Sequence, residues 1–161
     1  MADQETKIDG HTYSVGRIST FDQLHVASLW REALMGLALA KKNRPPTMTD
    51  EAFAETKLIV LTGSLGRVDW RAREDVARLL MSVVKRKGAG GKTGTGWFSV
   101  MTPEGVPAYA DIQLPQLVQI QYAVLDKNGL LDFFSVGPSA SGGPTETEEG
   151  GRDSQETERT S

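Results

Sequence analysis

Apolar and polar positions change rhythm several times along the chain, and each rhythm predicts an element. Lys7-Ile8, then Asp9-Gly10, then His11-Thr12-Tyr13-Ser14-Val15 sets a turn dipeptide between two short β-prone runs and predicts an N-terminal β-hairpin. Tyr13 and Val15 share one face, which Ile18 continues. A helix follows. Thr20 and Gln23 have capping-box spacing, with Ser19 as a competing cap. Phe21, Leu24, Ala27, Trp30 or Leu34, and Leu37 form its apolar stripe, and Asn43-Arg44-Pro45-Pro46 ends it.

Thr49 or Asp50 caps a second predicted helix through Phe53, Leu58, Ile59 and Leu61, with Gly63 as its stop. Asp69 caps a third, from Trp70 to about Arg86, burying Val76, Leu79, Leu80, Val83 and Val84. Gly88 to Gly96 reads as a flexible link. Gly96 to Met101 and Val106 to Ala110 read as a small second hairpin or wide loop, with Pro107 restricting its strand to an edge. Pro115 opens a final helix carrying Leu117, Val118, Ile120, Gln121, Val124 and Leu125, stopped at Asn128-Gly129. The predicted class is α+β, mainly helical, with about four helices.

Composition changes this picture in one place. Residues 137–161, GPSASGGPTETEEGGRDSQETERTS, hold no aromatic and no large aliphatic side chain, so a disordered acidic Gly/Ser/Thr/Glu-rich tail is expected after a domain spanning 1–136. Its six acids and two bases give a net of −4. The whole chain of 161 residues stands at −3, so the domain is nearly neutral at +1. That balance points to neither a nucleic-acid nor a membrane partner. No apolar run reaches the ~18 residues of a membrane span. The polar opening MADQETKIDG does not read as a signal peptide.

Candidate chemistry is thin. With no cysteine, thiolate metal sites and disulfides are excluded. Gly91-Lys92-Thr93 ends like a phosphate loop, but Arg86 occupies the position of the first glycine, and a predicted helix precedes the loop where a strand is required. Ser64 in Thr62-Gly63-Ser64-Leu65-Gly66 lacks the first glycine of a hydrolase elbow. His11 lies by a turn, and His25 reads as half-buried in the first helix. Lys41-Lys42-Asn43-Arg44 and Lys85-Arg86-Lys87 sit at predicted helix ends, where the dipole explains them. The expectation is a non-enzyme with no catalytic residues, no cofactor and no metal. Leu130, Leu131, Phe133 and Phe134 form a last apolar patch. Such a patch more often closes a small core, yet beside a polar tail it is also the candidate partner-binding site.

Thr12-Tyr13-Ser14-Val15-Gly16-Arg17-Ile18 followed by Phe21-Asp22-Gln23-Leu24-His25-Val26-Ala27 is one half of a pattern. Asp111-Ile112-Gln113-Leu114-Pro115, Gln119-Ile120-Gln121-Tyr122-Ala123-Val124-Leu125 and Asn128 to Phe134 are the other. The order resembles the tail assembly chaperones of tailed bacteriophages, whose members share an opening FxQFHVAR and a closing DLPxxLQIxxAVLxxNLxxFF. Leu24 stands in place of the usual aromatic, and Gly129 loosens the closing run.

The resemblance implies a protein of the host bacterial cytoplasm that performs no catalysis. It would bind the tape measure protein non-covalently, keep it soluble, help recruit the tail tube protein, and be absent from the mature virion. Self-association is left open. Two other readings are a minor structural or head–tail joining protein of the particle and, third, a small nucleic-acid-binding regulator.

Overall fold

The computed structural model describes residues 3–88 and 96–134. It is an α+β protein, mainly helical, with one four-stranded antiparallel sheet in the order β1-β2-β3-β4. Strands β1 (Gln4–Ile8) and β2 (His11–Val15) form the predicted hairpin. Asp9 and Gly10 both adopt positive φ, 50° and 81°, as the primed turn of a two-residue hairpin requires. Tyr13, Val15 and Ile18 are all buried.

The first predicted helix is two. Helix α1 (Thr20–Leu29) and α2 (Arg31–Lys42) are separated by Trp30, whose backbone leaves helical geometry at φ −110° and ψ 28°. The break changes the stripe. Trp30, Ala33, Leu34, Leu37 and Ala38 are buried, but Phe21 and Leu24, expected inside, are 85% and 64% exposed. Ser19, not Thr20, is the cap, its hydroxyl accepting from Asp22 N at 3.2 Å.

Helix α3 (Asp50–Leu65) is capped by the Thr49 hydroxyl and runs past Gly63 to end at Gly66. One interior glycine costs only about 1 kcal/mol, too little to stop a helix held by packing on both sides. Ile59, expected to face the core, is exposed. Helices α2 and α3 meet at Gly36, where an added Cβ would lie 2.8 Å from Val60 Cγ1.

Helix α4 (Trp70–Ser82), capped by Asp69, stops short of the predicted Arg86. The Val83 carbonyl accepts from Gly16 N at 2.7 Å, and β3 (Val84–Lys87) then pairs with β2. Paired β-branched residues and an open edge on β2 outweigh the helical period. The second hairpin is therefore β3 with β4 (Trp97–Ser99), across the glycine-rich link. Residues 101–107, expected as hairpin or wide loop, form a loop closed by the Met101–Pro107 bridge.

Helix α5 (Leu114–Lys127) is the centre, packed against α3, α4 and the N-terminal hairpin. Val118 and the run from Ile120 to Leu125 are buried on it, so the helix is apolar nearly all round, as an enclosed helix must be. Pro115 stands at its second position, after Leu114. Residues 130–134 are again helical. The interior of the glycine link, 89–95, and the tail at 137–161 lie outside the described residues.

Tyr122 of α5 meets Phe53 edge-on, with centroids 5.7 Å apart. Burial, then the Asp126 carboxylate, pushes its phenol up to about 12 from an ordinary 10.0. An acid whose pKa is raised by folding holds its proton longer in the native state. Its contribution to stability is therefore intact below pH 10 and lost between pH 10 and about 12. Urea midpoints measured across this window should fall in the native protein and fall less in Tyr122→Phe.

Candidate partner-binding site

The segment Gly16 to Ile18 leaves β2 and enters α1, and an extended segment of this kind needs partners for its backbone polar groups. They come from opposite ends of the sequence. Asn128, the residue that ends α5, donates from Nδ2 to the Gly16 carbonyl at 3.1 Å and to the Val124 carbonyl at 2.9 Å. Its Oδ1 accepts from Ile18 N at 2.8 Å. Gln23 of α1 donates from Nε2 to the Ile18 carbonyl at 2.9 Å. Gly129, at φ 76°, then turns the chain into the helical residues 130–134.

Beside this junction opens a groove of about 740 Å³, with Val15, Arg17, Gln23, Asn128, Asp132 and Phe133 in its walls. The four residues of the predicted apolar patch divide here. Leu130 and Leu131 are 2% and 0% exposed and belong to the core. Phe134 is half-buried against that core, and Phe133 is 71% exposed on the groove. Only Phe133 and the free part of Phe134 are left to meet a partner. Sequence reasoning read Asn128 as a helix stop and Gln23 as a capping residue; nothing local in either signals a long-range clamp.

A second polar cluster escaped sequence reasoning altogether. The alternation along β3 turns Val84 and Arg86 inward and Lys85 and Lys87 outward. Arg86 is 9% exposed, and its Nη1 donates to both Asp111 oxygens, at 2.9 and 3.0 Å. Its Nη2 lies 2.9 Å from His11 Nε2; for that nitrogen to accept, the ring proton must sit on Nδ1. The guanidinium also lies 4.2 Å from the Tyr109 ring centre. Arg86 holds the Asp111 carboxyl below its ordinary value, chiefly through the hydrogen bond. Every donor contact here has a structural partner, so the cluster ties β3 to the loop before α5.

The other candidates fall apart in space. Arg86 at the phosphate-loop position is engaged as above, and the link joins two strands, not a helix and a strand as expected. The next described element after it is β4, where a phosphate loop would need a helix N-terminus. Ser64 lies within α3. His25, expected half-buried, is exposed on α1. Among the described residues no group of three or more metal-ligating side chains is assembled, and no helix is long and apolar enough to cross a membrane.

Comparison of the chain with protein-family models, with curated proteins and with solved structures finds no match.

Proposed function

We propose that this protein is a tail assembly chaperone of a tailed bacteriophage, holding the tape measure protein by reversible, non-covalent contact while tail tube subunits are recruited around it. One observation carries the reading. The two separated segments that resemble the chaperone family, Phe21 to Ala27 and Asp111 to Phe134, meet at one junction, where Gln23 and Asn128 both bond the backbone of Ile18 and Asn128 also bonds that of Gly16. The exposed Phe133 on the adjoining groove, and Phe21 and Leu24 on α1, supply apolar surface of the kind that covers stripes of a long helical client.

Deleting the gene from the phage should leave full heads without tails. Coexpression should keep the tape measure protein soluble without nucleotide, and the protein should be missing from purified particles. Normal tails in the deletion, or stoichiometric protein in virions, would sink the proposal; the second outcome favours a structural or head–tail joining role.

A further inference from the structure

Lys57 is a half-buried lysine on α3 whose ammonium makes no hydrogen bond and no ion pair among the described residues. What it touches are two ring faces, Tyr122 at 4.4 Å and Phe53 at 4.9 Å. It opens onto a pocket of about 230 Å³ between β1, α3 and α5, which Lys7, Lys127 and the Gln119 amide also line. Two carboxylates stand in the same walls, and both are engaged by other cations. Asp50 binds Arg44 at 2.7 Å, and Asp126 binds Lys41 at 2.6 Å.

Three lysines, Lys7, Lys57 and Lys127, therefore line the pocket with no ion pair of their own among the described residues, beside Arg44 and the Phe53 and Tyr122 rings. A buried cation without an acceptor is costly, and ring faces offset only part of that cost. Burial, and after it the Arg44 guanidinium, hold the Lys57 ammonium below the ordinary lysine value; the Asp50 and Asp126 carboxylates oppose the shift without cancelling it.

We propose that this pocket is a carboxylate-binding site that takes a glutamate side chain of an acidic peptide, its carboxylate on Lys57 between Lys7 and Lys127. The volume decides the class. At about 230 Å³ it lies below the ~300–1,000 Å³ of cofactor and drug-sized pockets and suits a single side chain. Glutamate's methylenes pack on Phe53 and Tyr122, and the Gln119 amide supplies a further donor. The site shares no wall with Phe133 or its groove except Lys127, and it does not depend on the chaperone reading.

Such carboxylates have two sources. One is a separate acidic partner. The other is this chain, which carries Glu146, Glu148 and Glu149 about twelve residues beyond Phe134, a reach of roughly 40 Å when extended. The experiment separates them by the rate at which acetic anhydride labels Lys57, read by mass spectrometry on the full chain at low ionic strength.

A bound carboxylate keeps the amine protonated and slows labelling. Replacing Glu146, Glu148 and Glu149 together by glutamine is expected to speed labelling of Lys57 by about threefold or more, with Lys42 as an internal control. Adding acetyl-Thr-Glu-Thr-Glu-Glu-amide should slow it again, and the all-glutamine peptide should not. If the triple variant labels like the wild type but the acidic peptide still slows Lys57, the site holds and its occupant comes from a partner. If neither changes the rate, the proposal is overturned, and Lys57 is a structural cation stacked on two rings.

Discussion

Leu131→Ala is expected to destabilise the protein by about 2–5 kcal/mol, whereas Phe133→Ser, two residues away, is expected to change stability by less than about 0.5 kcal/mol. The sequence offers no ground for the difference: both are large apolar residues in one short run. The structure separates them because residues 130–134 are helical, and a helix turns about 100° per residue. Leu131 is 0% exposed, so truncation leaves a cavity in a core where α5 and the residues after it close over the helices. Phe133, at 71% exposed, has little burial to lose.

Urea midpoints of the two variants decide the stability half of the prediction. The functional half reads in the opposite order. On the proposed function, Phe133→Ser should stay folded and lose affinity for the tape measure protein, measured by its solubility on coexpression. A neutral Leu131→Ala would mean that the C-terminal closure is not core. A Phe133→Ser chain that unfolds, or that binds the client as before, would remove Phe133 from the binding surface.

What could be read from the sequence was local. The Asp9-Gly10 turn, the Thr49 and Asp69 caps and the Asn128-Gly129 stop are each fixed by a few adjacent residues, and each is found where the local chemistry puts it. Errors arose where tertiary contacts overrule a local preference. Val83 and Val84 carry on the apolar period of α4, but the free edge of β2 needs backbone partners, and the Val83 carbonyl is taken by Gly16 N.

The period through Trp30 likewise continues unbroken in the sequence. A single residue out of helical geometry there puts Phe21 and Leu24 in solvent, and no residue type marks that break. Site residues fared worse than elements. Arg86 read as one of three cations at a helix end, although alternation along a strand makes it the inward one, facing an aspartate 25 positions away. Contacts at such separations leave no periodic trace in one sequence.

The largest effect of a single polar side chain is expected at Asn128. Asn128→Ala should cost about 2–4 kcal/mol, because it leaves the part-buried Ile18 N–H and Gly16 carbonyl without the partners they now have. The third partner, the Val124 carbonyl, keeps the Asn128 backbone N–H at 3.1 Å and is not orphaned. Asn128→Asp tests the donor separately. Its carboxylate can still accept from Ile18 N, but it has no hydrogen to give and turns an oxygen toward the carbonyls of Gly16 and Val124. It should therefore be no better than alanine.

Gln23→Ala, which frees only the Ile18 carbonyl, is expected to cost less, about 1 kcal/mol. Denaturant melts of the three variants give the order, and hydrogen exchange at the Ile18 amide should rise in Asn128→Ala well before the sheet amides are affected. On the proposed function, the same loosening should weaken client binding, since the groove takes one wall from Asn128 and another from the segment it fastens. An Asn128→Asp chain as stable as the wild type would show that the hydrogen bonds donated by Asn128 are dispensable, and the junction would then be held by the bond from Ile18 N, by Gln23 and by packing of Ile18.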